Sequence, residues 1–455
     1  MRIRSLAAAA VVPALLVIAP AADAGSAVSS GRSGPSGLDG VWRMDGYGQD
    51  YVVAGDTLQV YETTAVSCLP GLHGTQSSPG RFEVPDDDAI TIKAVGRDAA
   101  VVHLDSATSL RFLHRMAALP AQCARPSATD PLTTFDVFWS TFAENYPFFA
   151  LHGVDWTAMR DRYRPTITDD RSLYRAMIRM LTPLHDAHVG VFGPDPAPFH
   201  VSRPGTIEPG DDLNNALLGM VRRVDLPGIG VPAGALTSYA DGRIAFAELP
   251  GRIGYLRVVG FTGYTDADDE PSNRVALEQA LDAIFRHPDW RGLMIDLRIN
   301  GGGSDQLGVE LARRLTGRPY LGYLKQYQRR AGQWSAPQPV LVRPAASTYR
   351  GPIAMLTSGS TVSAGESFTE AVLARQPAPL LVGQPTQGVF SDELERHLPN
   401  GWVFDLPNEQ YVTPTGEAFD GRGIPSDVTE PLVISGPRDP LFAAAYRVAR
   451  GELPT

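Results

Sequence analysis

The fold of this chain is decided by the stretch Gly292-Leu-Met-Ile-Asp-Leu-Arg-Ile-Asn-Gly-Gly-Gly303. Its first half reads as a buried apolar β-strand, three glycines form a turn, and a helical pattern follows over 307–316. Successive glycines let backbone N–H groups face a ligand, and the start of a helix adds a positive dipole. The pattern therefore suits an oxyanion hole for an acyl intermediate, and it equally suits a plain strand-to-helix turn.

The alternation of strands and helices continues on both sides of this stretch. Strands are predicted over 253–259, 353–356 and 380–382, and helices over 273–286 and 364–373. Strands that are apolar throughout and alternate with helices indicate a sheet covered on both faces and linked by crossover helices. We therefore expect an α/β core after residue 251.

A second motif is Thr357-Ser-Gly-Ser-Thr-Val-Ser-Ala-Gly-Glu366, between a predicted strand and a predicted helix. Ser363 fits a helix N-cap, with Glu366 as its capping-box partner. Ser363 also fits a nucleophile, because the helix N-terminus stabilises negative charge and the Ala364 amide is free to join an oxyanion hole.

A third motif, Leu184-His-Asp-Ala-His188, stands near the end of a helical segment. Two histidines at this spacing, without a further ligand nearby, are a weak metal site. Either imidazole is able to serve as the general base for a serine.

The N-terminus has the pattern of a secretory signal peptide. Arg2 and Arg4 precede an apolar run that ends at Ala22-Asp23-Ala24, a small-residue cleavage site. Pro13 and Pro20 interrupt the run, which is short for a membrane anchor. We expect a periplasmic or secreted protein with no membrane span once the signal peptide is removed.

The net charge and the small numbers of cysteines and lysines give further information on partners and chemistry. The net charge of −10 argues against a nucleic-acid partner, because nucleic-acid binding needs a basic surface. The two cysteines, Cys68 and Cys123, suggest one disulfide in an exported chain, and two buried free thiols are the alternative. Lys93 and Lys325 are the only lysines in the chain.

Changes in hydrophobic period divide the chain into segments. Short β runs end near residue 112, whereas apolar residues recur at helical spacing from Phe135 to Leu181. Helix caps are offered by Thr168 and Asp170. The predicted segments are a signal peptide (1–24), a linker (25–37), a small β-rich domain (38–125), a helical domain (130–195), connecting loops and hairpins (196–250), a catalytic core (251–435), and a C-terminal helix and tail (436–455).

Taken in order, these motifs resemble those of the tail-specific, or C-terminal processing, serine peptidases, in the branch of the tricorn core and interphotoreceptor retinoid-binding protein. The resemblance implies an α/β fold with a crotonase-like (ClpP/crotonase) β-β-α core. The matching segments are Asp296–Gly303 (D-L-R-x-N-x-G-G), Val362–Glu366 (the nucleophile segment), Gly383–Gly388 (G-x-x-T-x-G), Leu398–Gly401 (L-P-N-G), Gly421–Asp427 (G-x-G-I-x-P-D, imperfectly), and, in the helical domain, Phe135–Trp139, Tyr146-Pro, Gly153–Trp156 and Leu184–His188.

The same resemblance implies the roles of individual residues. Ser363 matches the nucleophile and His188 matches the base of the tricorn-like arrangement, although Ala187 stands where that branch often has a serine. Val389 occupies the position of the lysine in the other branch, so a Ser–Lys pair is not expected. Asp420 is the best match for the acid that orients the base, with Glu417 as its rival.

The remaining site residues follow from the same motifs. The oxyanion donors are expected on the backbone of Gly302, with Gly303 beside it, and of Ala364. Glu366 completes the candidate catalytic set. Asp296 and Arg298, beside the glycine turn, are expected to hold the loop as a buried ion pair rather than to act on substrate.

We therefore expect a serine endopeptidase that needs no metal or other cofactor and hydrolyses polypeptides through an acyl-enzyme. A non-catalytic ligand- or peptide-binding protein on the same scaffold, and an esterase or amidase for small substrates, are the alternatives. Assembly into a homo-oligomer is left open.

Overall fold

The computed structural model of the chain describes residues 37–193 and 198–452. The predicted signal peptide and the linker up to residue 36 lie outside the described residues. None of the helices within these ranges is long and apolar enough to cross a membrane.

The first part of the chain forms a closed barrel in which each strand pairs with the next and the last pairs with the first. Side chains such as Trp42, Val60, Phe82 and Val102 fill its interior. The predicted β-rich segment is therefore confirmed as an eight-stranded barrel. Its strands are β1 Gly40–Met44, β2 Gln49–Ala54, β3 Thr57–Thr63, β4 Cys68–Ser78, β5 Arg81–Glu83, β6 Ile90–Ala94, β7 Ala99–Leu104 and β8 Arg111–Met116.

A disulfide joins Cys68, at the start of β4, to Cys123, in the turn that follows β8. The two Cα atoms are 4.9 Å apart. The predicted pairing is thus confirmed, and the alternative of two free thiols is wrong.

Three helices follow the barrel: α1 Pro131–Asn145, α2 Trp156–Tyr163 and α3 Asp170–Leu181. Asp169 caps α3 by accepting the Ser172 N–H, so the cap lies between the predicted positions Thr168 and Asp170. The apolar side of α1 and α3 packs against the barrel and against residues 394–406 in one continuous hydrophobic core.

The prediction of only loops and hairpins over 196–250 is wrong in part. Strands are present, but a helix begins at Asp211 and continues through a π-helical turn, Val221–Asp225. Its buried residues Leu213, Leu217 and Met220 recur at helical spacing, a signal that the surrounding Pro and Gly residues obscured. The elements that follow α3 are β9 Gly190–Phe192, β10 Phe199–His200, α4 Asp211–Met220, α5 Leu226–Gly228, β11 Thr237–Tyr239 and β12 Ile244–Leu249.

The α/β region confirms the predicted order of strands and helices. Its main sheet has the order β11-β12-β13-β14-β18-β19-β23, parallel from β13 onward. The elements are β13 Ile253–Val258, α6 Glu270–Ile284, β14 Gly292–Asp296, α7 Asp305–Arg313, β15 Tyr320–Arg330, β16 Gln333–Trp334, β17 Gln338–Val342, β18 Ile353–Thr357, α8 Ala364–Leu373, β19 Leu380–Gly383, β20 Glu393–His397, β21 Val403–Pro407, β22 Glu409–Val412, β23 Val428–Thr429 and α9 Pro440–Ala449.

Helices cover both faces of this sheet, which explains why its strands are apolar throughout. Residues of α6, α7 and α8 form one core with the sheet, and residues of α9 form another core with the opposite face. The glycine turn and the Ser363 turn follow the adjacent parallel strands β14 and β18, so both turns lie at the same edge of the sheet.

A smaller sheet, of order β10-β9-β21-β20, joins the helical region to the α/β region. Strand β9 pairs with β21 through Phe404↔Val191 and Asp405↔Gly190. Phe138 and Phe142 of α1 pack on Phe404, with ring centroids 5.5 and 5.7 Å away. Because β9 begins two residues after His188, this pairing carries the histidine turn to the α/β region.

Candidate active site

Ser363 lies at the junction of β18 and α8 in an unusual backbone conformation, with φ 54° and ψ −123°. A positive φ in a residue with a side chain is strained by about 1–3 kcal/mol and is frequent at functional sites. The Ser363 side chain makes no capping hydrogen bond to α8. Ser363 thus stands at the predicted N-cap position, but its hydroxyl does not act as the cap.

Gly302 packs directly against Ser363. A Cβ atom at Gly302 would lie 2.6 Å from the Ser363 Cβ atom, and the backbone φ of Gly302 is +87°. Both facts demand glycine at this position. The glycine turn and the serine turn are thus in contact, as an oxyanion hole beside a nucleophile requires.

The Gly302 amide is occupied, which differs from the sequence-based expectation. Its N–H donates to Asn300 Oδ1 at 3.0 Å, and Asn300 Nδ2 donates to the Val258 carbonyl oxygen at 3.0 Å. Within the described ranges, the N–H groups of Gly303 and Ala364 have no protein acceptor. Of the three predicted oxyanion donors, these two remain available.

Below the glycine turn, Arg298 and Asp296 form a buried ion pair. Arg298 Nε and Nη2 donate to Asp296 at 2.9 and 2.7 Å. Arg298 also pairs with Asp439, the N-cap residue of α9, and Tyr255 donates to Asp296 at 2.7 Å. These contacts fit the expected architectural role, because they lock β14 to its neighbours and leave neither charge facing solvent.

Glu366 holds a loop, and its contact with the Ser363 backbone is not completed to a capping box, because the Ser363 side chain makes no cap hydrogen bond. Its buried carboxylate accepts the N–H groups of Gly388 and Val389 at 2.7 and 2.8 Å, and the Ser363 N–H donates to the Val389 carbonyl oxygen at 3.1 Å. Burial raises the pKa of Glu366 to about 7, against the opposing effect of the hydrogen bonds it accepts from Thr386, Val389, Gly388 and Ser363. The nucleophile turn and the Gly388–Val389 loop are thus fastened together.

His188 is buried, with 1% of its surface exposed, and lies in a turn after the helical segment rather than within it. The backbone N–H of His188 donates to Asp186 Oδ1 at 3.0 Å. Neither nitrogen of the imidazole ring has a hydrogen-bond partner in the part of the chain that the structure describes. The ring lines a pocket together with Asp186, Asp420, Gly388 and Val389. His185 lines the same pocket but is exposed, with a left-handed backbone φ of 49°.

The structure separates the two candidates for the orienting acid. Asp420 lies buried in the His188 pocket, and its Oδ2 atom has no partner among the described residues. Burial and the nearby Asp186 carboxylate raise the pKa of Asp420 well above its ordinary value. Glu417 is exposed and pairs with Arg422 at 2.7 Å, so it lies outside this pocket.

Sequence reasoning missed Asp186 and Tyr146 as members of this site. The Tyr146 hydroxyl donates to Asp186 Oδ2 at 3.0 Å. Burial raises the pKa of the Asp186 carboxyl, and the nearby His188 opposes this effect. Both residues stand in the quoted motifs, but nothing in the sequence says that positions 146 and 186 touch.

Ser363 and His188 do not share a hydrogen bond in this structure, because neither His188 ring nitrogen has a partner among the described residues. Val389 is common to both settings: its carbonyl oxygen accepts the Ser363 N–H, and the residue lines the pocket that His188 lines. The structure therefore brings together His188, Asp186 and Asp420, and it holds Ser363 beside the glycine turn. The Gly388–Val389 loop connects the two groups.

Lys325 is paired with three carboxylates. Its buried ammonium lies 2.9 Å from Asp392, 3.1 Å from Glu409 and 3.6 Å from Asp305. Burial alone would lower the pKa of Lys325, but the three carboxylates outweigh it and raise the pKa. A general base must lose its proton near neutral pH, so this lysine is unsuited to the role. Lys93 is exposed on β6.

Comparison with known proteins gives two family matches. Residues 252–430 match the family model described as peptidase family S41, and residues 127–175 match that of the tricorn protease C1 domain. No curated protein sequence matches the chain. Within the described ranges, no group of three or more His, Cys, Asp or Glu side chains is arranged to hold a metal ion.

Solved structures show the same fold. A candidate peptidase from Parabacteroides merdae is 23% identical with a TM-score of 0.56, and the match covers 71% of this chain and 97% of that one. Mature CPAF in complex with lactacystin is 13% identical with a TM-score of 0.51, and the match covers 71% and 97% of the two chains. At these identities the likeness concerns the fold alone.

Proposed function

This chain belongs to peptidase family S41 and is a serine-type peptidase, and we propose that it is an exported endopeptidase with Ser363 as nucleophile and His188 as general base. The observation that carries the proposal is the setting of Ser363. Its backbone is strained, its hydroxyl is not used as a helix cap, and it packs on a glycine turn. A nucleophile needs this combination, whereas a structural serine does not.

In the proposed acylation step, Ser363 Oγ attacks the carbonyl carbon of a peptide bond, and His188 takes the hydroxyl proton. The oxygen of the tetrahedral intermediate carries the negative charge. The open N–H groups of Gly303 and Ala364 support a role as its donors, and Asn300 keeps the Gly302 amide turned away. His188 then gives its proton to the leaving amine, which departs as the bond breaks.

Water hydrolyses the resulting acyl-enzyme, with His188 again taking a proton and returning it to Ser363. We propose that Asp420 orients the His188 ring and that Asp186 fixes its backbone. The unpartnered ring nitrogens of His188 and the unpartnered Asp420 oxygen support this assignment, because both residues line one pocket and a buried polar group needs a partner. Catalytic hydrogen bonds are often long before substrate binds, and we infer that Ser363 and His188 meet when it does.

Two further features complete the proposal. The parallel sheet with helices on both faces supports a crotonase-like core. The Cys68–Cys123 disulfide supports export to the periplasm or the cell exterior, since disulfides persist in oxidising compartments.

A fluorophosphonate probe tests the nucleophile. We expect wild-type protein to be labelled, the label to map to Ser363 by peptide mass analysis, and Ser363→Ala to remain unlabelled. A folded wild type that takes no label would support the non-catalytic binding protein and overturn the proposal. A peptide-library digest then separates an endopeptidase from an esterase or amidase, which would leave the peptides intact.

A further inference from the structure

The segment Val201–Gly210, which we call the strap, runs from the histidine turn to α4. Its first residue donates an N–H to the carbonyl oxygen of Val189, next to His188, at 3.1 Å. Its last residue accepts the N–H of Asn214 at 2.8 Å. The strap therefore begins beside the proposed base.

Between these ends the strap is fixed to the three loops around Ser363. Arg203 donates to the carbonyl oxygens of Gln387 and Thr386 at 2.9 and 2.5 Å. Ser360 Oγ, in the turn before Ser363, donates to the Ile207 carbonyl oxygen. A Cβ atom on Gly301 of the glycine turn would lie 3.6 Å from Pro209. The strap thus forms a wall beside the loops around Ser363.

Ile207 is the exposed apolar residue of this wall, with 54% of its surface accessible. Isolated exposed apolar residues are common on protein surfaces, and Val275 of α6 is also 54% exposed. Ile207 differs in position, because its own backbone is held by Ser360, three residues before the nucleophile.

Leu151 is an equivalent residue on the other side of the site. It is 55% exposed, and its Cδ2 atom would lie 3.1 Å from a Cβ atom placed on Gly421. Gly421 follows Asp420 and lines the His188 pocket. One exposed apolar side chain therefore stands at the serine side of the site and one at the histidine side.

We propose that Ile207 and Leu151 determine specificity, by contacting apolar side chains of the substrate on the two sides of the scissile bond. The preferred substrates are polypeptide segments with apolar residues flanking that bond. Covering two half-exposed aliphatic side chains removes apolar surface from water, which favours such segments over charged ones. This inference rests on the proposed endopeptidase function.

The test compares Ile207→Asp and Leu151→Asp with the matched control Val275→Asp in digests of a peptide library. We expect wild type and the control to prefer apolar flanking residues. Each site variant should lose about tenfold or more in kcat/KM on an apolar-flanked peptide, which is the discrimination typical of a lost apolar contact. An unchanged cleavage profile in both site variants would overturn the inference.

Labelling by a small fluorophosphonate separates this failure from failure of the proposed function. The probe is too small to need the flanking contacts, so all variants should still be labelled at Ser363. Labelled variants with unchanged profiles contradict only the specificity role. A folded wild type that neither takes the label nor cleaves the library contradicts the proposed function, and the inference falls with it.

Discussion

The Glu366 carboxylate accepts the backbone N–H of Val389 at 2.8 Å, while the carbonyl oxygen of Val389 accepts the N–H of Ser363 at 3.1 Å. A single residue is thus held from both ends by the turn and helix of the proposed nucleophile. Val389 also lines the His188 pocket. We therefore expect the geometry of the two halves of the site to depend on this one loop, with Glu366 as a positioning residue.

Glu366→Gln should lower both turnover and stability. The amide keeps one acceptor oxygen, but its NH2 group faces the second backbone N–H, which loses its partner at a cost of about 1–3 kcal/mol. Thermal unfolding and peptide hydrolysis measure the two effects. A variant with wild-type stability would show that the loop does not depend on this carboxylate.

The same residue makes stability depend on pH. The pKa of Glu366 in the folded protein, about 7, is above its ordinary value of 4.5. Its contribution to stability is therefore complete below about 4.5 and lost as pH rises through about 7. As pH falls from about 8 to about 5, the difference in Tm between wild type and Glu366→Gln should move in favour of wild type. A difference that stays constant with pH would contradict the raised pKa.

His188→Ala should reduce turnover by about 10³-fold or more, as loss of the base does in other serine enzymes. His185→Ala is the matched control, because it removes the exposed histidine of the same turn and should retain most of the activity. Steady-state peptide hydrolysis measures both. A fully active His188→Ala enzyme would require another base.

Asp420→Asn should lower turnover, because the buried carboxyl in the His188 pocket would no longer be able to orient or stabilise the imidazolium. Glu417→Gln provides the comparison: this carboxylate faces solvent and pairs with Arg422, and surface pairs of this kind contribute about 0–1 kcal/mol. We expect turnover close to wild type in Glu417→Gln. The reverse order of the two effects would reassign the acid.

Lys325→Met should lower the stability of the folded protein, and it should have no separate effect on turnover. Removing the ammonium leaves Asp305, Asp392 and Glu409 without their shared buried cation, which should cost about 3–5 kcal/mol. Lys93→Met, at the only other lysine, should leave Tm unchanged. A Lys325→Met protein that keeps its Tm and loses turnover would point to a catalytic lysine.

The local chemistry of the α/β region could be predicted from the sequence. Apolar runs of strand length followed by glycine or serine turns and amphipathic helices leave few other structures open. The predicted helix over 364–373 has the bounds of α8, and Ser363 stands at its start. The Cys68–Cys123 pairing also followed from the small number of cysteines.

Residues that act through distant contacts could not be predicted in this way. The sequence paired Glu366 with Ser363 because the two are three residues apart, and the carboxylate does contact the Ser363 backbone, but it also reaches Gly388 and Val389, which the sequence did not predict. Gly302 was a reasonable oxyanion donor until the side chain of Asn300 was found to occupy its amide. The Glu366 contacts join residues more than 20 positions apart, whereas the Asn300–Gly302 bond joins residues two apart and is a local side-chain turn that the sequence analysis missed.

The sequence by itself determined the family, the order of strands and helices in the α/β region, and the turn that presents Ser363, because these depend on residue types at short spacing. Only the tertiary structure decided which residues meet at the site. His188 reaches the α/β region because β9 pairs with β21, more than 200 residues later. Lys325 is paired within the fold because three carboxylates converge on it from separate elements. Such contacts are set by packing between distant segments, which short-range patterns do not encode.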